Sequence, residues 1–292
     1  MSANLNRRYL RKPIWLRVPP PYTGSSHKIR TALADLKLHT VCQEAACPNI
    51  AECFACGTAT FLIMGNICTR HCLYCNVTHG LPEPVDEQEI SRLTKAVREM
   101  NLNYVVITSV TRDDLPGGGA WVFADCISEL REKIPEIKIE VLIPDFQANA
   151  ASLEKVIGAK PDVINHNIEV AKSLFPQIRP QGDYQRSLNL LRCVSETSVI
   201  TKSGFMVGFG ESRDGILRLI DDLASVSCAR LTIGQYQQPS RKHWPVIKYY
   251  HPDEFAELKE IAYQKGFEHV ESGPLVRSSY HAARAGQRDK HA

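Results

Sequence analysis

The residues best suited to chemistry are ten cysteines, seven of which lie between positions 42 and 75 of the 292-residue chain. The sequence has no run of ~18 apolar residues that could cross a membrane, and no apolar stretch follows the N-terminus. We therefore expect neither a membrane protein nor a secreted one. Clustered cysteines in a chain that is not exported are more typical of metal ligands than of disulfides. The sequence thus predicts a metal centre.

Cys68, Cys72 and Cys75 have the spacing C-x3-C-x2-C. Three thiolates at this spacing can each hold one iron of a four-iron cluster, and the fourth iron is then open to a small molecule. The alternative is a zinc site completed by His71 or His79, because three cysteines and one histidine are a common structural zinc set. Zinc sites usually contain two cysteine pairs, whereas this loop has one, so the pattern favours the cluster.

A second cysteine trio lies upstream, at Cys42, Cys47 and Cys53. Cys56 forms a C-x2-C pair with Cys53 and competes with it as the third ligand. A small buried apolar side chain or a bystander thiol is the favoured interpretation of Cys56.

The elements that position these cysteines show the rhythm of a βα repeat. Seven short apolar, β-branched runs predict strands that are buried on both faces, as in a parallel sheet. These runs are Thr60–Met64, Tyr104–Val110, Lys138–Ile143, Asp162–Ile168, Val199–Val207, Arg230–Tyr236 and Phe267–Glu271. Helical patterns lie between most of them. The pattern predicts an α/β fold of about six repeats, and periodicity leaves an open doubly wound sheet and a partial barrel as alternatives.

Two of the helical patterns have recognisable ends. Residues Asp86–Asn101 begin with a D-x-x-E arrangement that predicts a capping box between Asp86 and Glu89. Residues Pro252–Lys265 begin with proline in the first turn and stop at a glycine. Ligands of βα arrays bind where the strands end, and the loop with C-x3-C-x2-C directly follows the first predicted strand.

This loop is the signature of radical S-adenosylmethionine enzymes, and the chain as a whole resembles the lipoyl synthase family from about Lys12 to Ala283. Besides the two cysteine trios, five segments carry the resemblance: Arg112–Pro116, Leu142–Phe146, Asn165–Asn167, Gln235–Ser240 and Gly273–Ala282. The resemblance implies a partial (β/α)6 barrel whose N- and C-terminal extensions carry a second cluster. We expect an N-terminal arm over residues 1–57, the barrel over 58–272 and a C-terminal segment over 273–292.

The resemblance also implies the activity. Two [4Fe–4S] clusters and S-adenosyl-L-methionine are the expected cofactors. The cluster on Cys68, Cys72 and Cys75 would bind S-adenosylmethionine and cleave it to methionine and a 5′-deoxyadenosyl radical. This radical removes hydrogen from C6 and then C8 of an octanoyl group in amide linkage to a lysine of a carrier protein. The second cluster, on the upstream trio, would donate the two sulfur atoms.

Four polar residues near strand ends are candidates for binding S-adenosylmethionine. Asn165 and Asn167 alternate along one predicted strand and could both face the barrel interior, with His166 facing outward in a structural role. Lys202 could bind a carboxylate, although a solvated lysine is an equal alternative. Glu211 follows the Val199–Val207 strand and could bind the amino group or ribose, or could cap the next helix.

The RSSY motif of the family corresponds to Arg277–Tyr280. The resemblance points to Ser279 as the fourth ligand of the second cluster, because a serine oxygen is harder than a thiolate and more easily displaced from iron. Ser278 would face the other side of an extended segment, and Arg277 could stabilise the ionised oxygen or bind a nearby carboxylate. The alternative to ligation is that Ser278 and Ser279 are ordinary polar residues of a C-terminal loop.

Charge and context limit the remaining functions. The net charge of +3 and the lack of an extra domain argue against a methylthiotransferase acting on RNA. A non-catalytic iron–sulfur carrier would need complete sets of four cysteines.

The first 34 residues are basic, and we interpret them as an extended arm rather than a transit peptide. We expect a monomer in the cytoplasm, with an electron donor and an octanoylated glycine-cleavage H protein or 2-oxoacid dehydrogenase acyltransferase as partners. No nucleic acid is expected to bind.

Overall fold

The computed structural model describes residues 10–17, 31, 33–44, 47, 49, 60–280 and 282. Its strands are β1 (His39–Thr40), β2 (Thr60–Ile63), β3 (Ile67–Cys68), β4 (Thr78–His79), β5 (Tyr104–Ser109), β6 (Lys138–Leu142), β7 (Val163–Asn165), β8 (Ile200–Val207), β9 (Arg230–Gln235) and β10 (His269–Gly273). Its α-helices are α1 (Val41–Glu44), α2 (Glu89–Glu99), α3 (Ala120–Lys133), α4 (Ala150–Gly158), α5 (Phe175–Ile178), α6 (Tyr184–Ser195), α7 (Arg213–Ser225) and α8 (Pro252–Gln264). None of these helices is long and apolar enough to span a membrane.

Eight strands form one sheet in the order β1-β2-β5-β6-β7-β8-β9-β10. All neighbours are parallel except β1, which runs antiparallel to β2. Helices connect each parallel strand to the next, which gives six crossovers from β2 to β10. In the described chain β1 and β10 are the two ends of the sheet, so the predicted partial barrel of six βα repeats is confirmed.

The strands are buried because their residues are apolar on both faces. All four residues of β2 are buried, and so are the four central residues of β5. The covering helices are amphipathic: α2 directs Leu93 and Val97 inward, and α7 does the same with Leu219 and Leu223. Apolar surface on both sides of a parallel sheet is therefore removed from water, which is the main stabilising contribution to this fold.

Strand β7 is shorter than predicted. The pattern predicted a strand over Asp162–Ile168, but pairing with β6 and β8 ends at Asn165. The chain then turns at Glu169, which adopts a left-handed backbone conformation (φ 71°) and makes an isolated bridge with Phe205. Periodicity alone cannot reveal such a turn, because Ile168 is as buried as the strand residues.

The predicted capping box at the start of α2 is wrong. The helix begins at Glu89, and the Asp86 carboxylate accepts hydrogen bonds from the Gln88 amide (2.9 Å) and the Arg92 guanidinium (2.6 Å). The Glu89 carboxylate instead accepts a hydrogen bond from the Met64 amide (2.7 Å) at the end of β2. Glu89 thus supports the start of the cysteine loop rather than its own helix.

A layer of polar side chains, buried except for the half-buried Tyr104, crosses the barrel interior. The Lys202 ammonium donates to both oxygens of the Glu140 carboxylate (2.8 and 3.1 Å). The Tyr104 hydroxyl (2.6 Å) and the Asn165 amide (3.3 Å) donate to the same carboxylate. Burial, together with the charge of Glu140, raises the pKa of Tyr104 well above its usual range, which keeps the hydroxyl protonated as a donor. These four residues from β5, β6, β7 and β8 form what we term the polar layer.

Removing one partner from the polar layer should destabilise the fold strongly. We expect Lys202→Met to lower the free energy of unfolding by about 3–5 kcal/mol, because it leaves the Glu140 carboxylate charged, buried and without its cation. Comparison of denaturation midpoints with the parent protein measures the effect. The double variant Glu140→Gln/Lys202→Met removes both charges and should recover most of the loss. Equal midpoints for Lys202→Met and the parent would show that this ion pair does not support the barrel.

Candidate active site

The loop that carries Cys68, Cys72 and Cys75 follows β2 and is held in place by backbone hydrogen bonds. Strands β3 and β4 pair in parallel across the base of this loop. The Leu73 amide donates to the Ile178 carbonyl (2.9 Å) at the end of α5. The Cys75 amide donates to the Cys72 carbonyl (3.0 Å), which fixes the turn between these two cysteines.

Arg70, inside the same loop, forms buried ion pairs. Its guanidinium donates to Asp113 (2.6 and 2.9 Å) and to Asp145 (2.6 Å), which follow β5 and β6. Burial opposes ionisation of Asp145, but Arg70 outweighs it and lowers the pKa of Asp145 to about 2. The pairs therefore persist at neutral pH and hold the cysteine loop against the ends of two further strands.

A cavity of about 460 Å³ lies at the C-terminal ends of the barrel strands. The side chains of Cys68, Cys72 and Cys75 line it on one side. Its apolar lining includes Leu62, Val110, Leu142, Phe205 and Met206, and its polar lining includes Asn167, Glu169, Arg179, Arg277 and Ser278. The cavity is where ligands of parallel βα barrels bind, as the sequence analysis expected.

The three cysteines of this loop fit a cluster. All three are free thiols that line one cavity. Burial raises the pKa of Cys72 and raises that of Cys75 to about 12, so these thiols ionise readily only when a metal takes the place of the proton. In a cluster each thiolate holds its own iron. Within the described residues no three His, Cys, Asp or Glu side chains converge on a single metal ion.

Glu169 and Arg179 join the cysteines at the cavity, although no sequence motif marks them. Glu169 occupies the left-handed turn after β7, and its carboxylate accepts a hydrogen bond from the Asn167 amide (3.1 Å). The Arg179 guanidinium donates to the Asn167 and Ile168 carbonyls (3.0 and 3.3 Å). Burial raises the pKa of Glu169, while the nearby Arg179 charge opposes this change. An anion site and a cation site thus lie side by side next to Cys72.

Several buried polar atoms at the cavity lack hydrogen-bond partners among the described residues, and two of them, Asn167 Oδ1 and Arg179 Nε, lie on the residues just described. A buried polar atom without a partner costs about 1–3 kcal/mol, so such atoms usually mark a ligand site. Asn167 Oδ1 can accept a hydrogen bond, and Arg179 Nε can donate one. They match a ligand with both an amino group or hydroxyl and a carboxylate, which is the polar chemistry of S-adenosylmethionine.

The structure brings only one of the four predicted S-adenosylmethionine ligands to the cavity. Asn167 lines it, whereas Asn165 and Lys202 belong to the polar layer, two residues earlier on their strands, where Glu140 already occupies their donors. The Glu211 carboxylate accepts hydrogen bonds from the Gly208 and Phe209 amides of its own loop. The N-cap of α7 is Ser212 rather than Glu211.

The C-terminal segment forms part of the cavity wall through Val276, Arg277 and Ser278. Residues 274–280 follow β10 and turn back across β9. A Cβ atom at Gly234 would lie 2.2 Å from the Val276 carbonyl oxygen, so only glycine permits this approach. The Asn49 amide donates to the Leu275 carbonyl (2.6 Å), which joins the N-terminal arm to this segment. Burial lowers the pKa of Arg277, and the nearby Cys47 thiol and Glu169 carboxylate oppose this effect. Arg277 thus lies near Cys47 and also lines the cavity that contains Cys68, Cys72 and Cys75.

The upstream cysteines are described in part. Cys42 is buried in α1, and the Cys47 amide donates to the Cys42 carbonyl (3.0 Å). Burial and the adjacent Cys47 raise the pKa of Cys42 to about 11. Cys53 and Cys56 lie outside the described residues, so the choice between them stays a prediction. Ser279 is half-buried in the turn over residues 278–280, whereas its neighbour Ser278 lines the cavity.

The chain is similar to radical S-adenosylmethionine enzymes and, over most of its length, to lipoyl synthases. Residues 62–223 match the radical SAM superfamily, and residues 2–47 match the N-terminal domain of lipoyl synthase of the radical SAM family. The lipoyl synthase of Caldanaerobacter subterraneus subsp. tengcongensis is 51% identical over 275 residues, which cover 94% of this chain and 96% of that relative. The Aquifex aeolicus lipoyl synthase is 52% identical over 266 residues, covering 90% and 96%.

Solved structures show the same fold at low sequence identity. Methylornithine synthase matches with a TM-score of 0.55 and 12% identity, over 93% of this chain and 89% of that one. HydG, a maturase of the [FeFe]-hydrogenase, matches with a TM-score of 0.53 and 12% identity, over 88% and 73%. The superfamily match implies a [4Fe–4S] cluster and S-adenosylmethionine as cofactors. With Cys68, Cys72 and Cys75 at the barrel cavity and about half of the aligned residues identical to those of these relatives, the chain belongs to the lipoyl synthase family of radical S-adenosylmethionine enzymes.

Proposed function

We propose that this protein inserts two sulfur atoms, at C6 and C8, into an octanoyl group in amide linkage to a lysine of a carrier protein, which produces the lipoyl group. One observation carries the proposal. A single cavity is lined by Cys68, Cys72 and Cys75 and also by Arg277, which lies next to Cys47 of the upstream trio. A substrate in this cavity would contact the hydrogen-removing site and the sulfur-donating site together.

Cys68, Cys72 and Cys75 would hold the first [4Fe–4S] cluster. When bound there, this cluster would supply the electron that cleaves S-adenosylmethionine. The cleavage products are methionine and the radical that removes hydrogen from the substrate. The protein's own contribution is orientation. The Arg179 guanidinium is placed to bind a carboxylate and the Glu169 carboxylate to bind an amino group or hydroxyl, and Asn167 Oδ1 offers a further acceptor.

Cys42, Cys47 and Cys53 would hold the second [4Fe–4S] cluster, with Ser279 as the ligand of its fourth iron. This cluster supplies the sulfur atoms that enter the product. Burial raises the pKa of Cys47, and the fixed positive charge of Arg277 opposes this effect, which makes the thiolate less costly to form there. The Asn49–Leu275 hydrogen bond holds the N-terminal arm and the C-terminal segment together, which would keep Ser279 near the upstream cysteines.

The apolar side of the cavity suits the acyl chain. Leu62, Val110, Leu142 and Phe205 offer hydrocarbon surface to an octanoyl group and exclude water from the reacting carbons. Burial of each methylene stabilises the complex by about 0.8 kcal/mol. An apolar chain therefore binds here more favourably than a polar substrate such as an RNA base, the substrate of the alternative methylthiotransferase class.

Anaerobic single-turnover mass spectrometry tests the proposal. The protein, with both clusters reconstituted, is mixed with S-adenosylmethionine, a reductant and an octanoylated H protein. We expect the carrier to gain two sulfur atoms, in step with 5′-deoxyadenosine release. A reaction that lacks S-adenosylmethionine serves as the control. Release of 5′-deoxyadenosine without any sulfur in the carrier would contradict the proposed function.

The partners follow from the proposed activity. An octanoylated protein is the substrate implied by the family, and the H protein and the 2-oxoacid dehydrogenase acyltransferase are the proposed carriers. A one-electron donor must reduce the first cluster. The monomeric state, the cytoplasmic location and the domain boundaries at residues 57 and 272 stay predictions from the sequence.

Ser279→Cys should keep the second cluster but slow its use. A thiolate binds iron more firmly than a serine oxygen, so iron release during turnover and insertion of sulfur should slow by about tenfold or more, or about 1.4 kcal/mol in activation free energy. A chelator that absorbs on binding iron measures the release, and mass spectrometry follows the carrier. Ser278→Ala is the matched control and should be milder. Oxygen-free ligation of the fourth iron in the parent protein, or ligation through Ser278, would overturn the choice of Ser279.

A further inference from the structure

A short N-terminal segment, residues 10–17, is fastened beside the opening of the cavity. The Lys12 ammonium donates to Gln237 Oε1 (2.9 Å), and both residues line the cavity. The Trp15 indole donates to the Tyr250 carbonyl (3.2 Å), and its ring meets the His251 ring edge-on at 4.9 Å. We call residues 10–17 the mouth segment. Its position is fixed by contacts with residues more than 220 positions away in the chain.

The outer side of the mouth segment combines apolar and basic side chains. Ile14 is 73% exposed and Leu10 is 40% exposed, and they are two of the four large apolar residues that are exposed in the described chain. Arg11, Lys12 and Arg17 are exposed as well, and the segment contains no acidic residue. Neither Arg11 nor Arg17 forms an ion pair with any residue that the structure describes. Exposed apolar groups rimmed by like charges are typical of a surface that binds another protein.

We propose that the mouth segment is the docking surface for the carrier protein, and that it fits a carrier face with acidic residues around an apolar spot. This inference rests on the proposed function. An acyl group on a lysine can enter the cavity only if the backbone of its carrier lies against the opening, so residues beside the opening must contact the carrier. The charges of Arg11, Lys12 and Arg17 select a partner of opposite sign, and Ile14 supplies the apolar contact at their centre.

Contacts inside the opening match the same substrate. Gln237 Nε2 is buried and has no hydrogen-bond partner among the described residues, while its Oε1 accepts from Lys12. The amide is therefore oriented so that Nε2 can donate to the carbonyl oxygen that links the acyl group to the carrier lysine. Burial, and then the charge of Arg277, lower the pKa of Lys12. An acidic partner at the opening would relieve this repulsion between Lys12 and Arg277.

The experiment compares two substrates that differ only in the carrier. One is an octanoylated H protein, and the other is a short uncharged peptide with an octanoyl-lysine, which enters the cavity but has no docking face. The double variant Arg11→Glu/Arg17→Glu and the single variant Ile14→Asp each alter the outer side alone. We expect the KM for the protein carrier to rise at least about tenfold with little change in kcat, and the kinetics with the peptide to stay unchanged.

Salt and control variants sharpen the test. Raising ionic strength should weaken binding of the protein carrier to the parent enzyme, and this dependence should shrink in the Arg11→Glu/Arg17→Glu variant. Lys155→Glu reverses an exposed charge on α4, in the outer helical layer, and should leave both substrates unaffected. Ile14→Leu keeps the apolar contact and should behave as the parent. Iron content and circular dichroism verify that each variant is folded.

Each outcome decides the proposal. An unchanged KM for the protein carrier in both mouth-segment variants overturns it. An equal loss with peptide and carrier also overturns it, because the segment would then support the cavity rather than the carrier. Failure of the proposed function is distinct, since the parent enzyme would then add no sulfur to either substrate.

Discussion

Replacing Cys72 with alanine is expected to abolish the release of 5′-deoxyadenosine from S-adenosylmethionine. Cys72 is one of three thiols that line the cavity, and it lies next to the Glu169 and Arg179 side chains. Its loss leaves one iron of the first cluster without a protein ligand, so S-adenosylmethionine is no longer held at a reducible site. We expect a fall of at least about a thousandfold, or about 4 kcal/mol in activation free energy. Anaerobic chromatography of the nucleoside products measures it.

The matched control for Cys72→Ala is Cys193→Ala. Cys193 is an exposed free thiol on α6, outside the cavity, so its removal tests cysteine loss without cluster loss. It should cleave S-adenosylmethionine as the parent does. If Cys72→Ala, with its other cluster intact, still cleaved S-adenosylmethionine at the parent rate, the C-x3-C-x2-C trio would not be the site of this reaction.

Replacing Cys47 with alanine should separate the two halves of the reaction. We expect the iron content to fall by about one four-iron cluster, while 5′-deoxyadenosine is still formed at the other cysteine trio. Insertion of sulfur should vanish, because the donor is lost. The structural basis is that Cys47 lies beside Cys42 and near Arg277, in a region joined to the C-terminal segment by the Asn49–Leu275 hydrogen bond. Iron analysis, product chromatography and mass spectrometry of the carrier are needed together.

Cys56→Ala provides the control within the same stretch of sequence. It should retain iron and activity if Cys53 is the third ligand, and a loss of iron that matches Cys47→Ala would show that Cys56 takes that place. Full lipoyl product from Cys47→Ala itself would contradict the role of this trio as sulfur donor.

The fold was predictable because its signals are local. Buried parallel strands give continuous apolar runs, and amphipathic helices between them give a different period, so all seven parallel strands were found within a few residues. The polar layer was not predictable. Glu140 and Lys202 are 62 residues apart in the sequence. Whether their side chains meet depends on the register in which β6, β7 and β8 pair. Sequence alone therefore left Lys202 either as a ligand-binding residue or as a solvated one, and both interpretations are wrong because Lys202 is buried against Glu140.

The candidate site was likewise predictable only in part. The cysteine loop could be predicted because its spacing is short and specific to one kind of metal chemistry. Glu169 and Arg179 were missed because they come from separate turns, and no fixed spacing links them to the cysteines. A signal for Glu169 was present two residues after Asn167, at the end of a predicted strand, where ligands of parallel barrels bind. Arg179 follows a short helix and carries no such signal.

The close approach of Val276 to Gly234 has a consequence for how the enzyme is made. The wall that residues 274–280 contribute comes late in the chain, after every strand of the barrel, and chains fold from the N-terminal side during synthesis. Strands β2 to β9 can therefore pair before residues 274–280 pack against β9, and until then the cavity is open on that side. The position of this one segment in the sequence thus makes closure of the cavity a late step in folding.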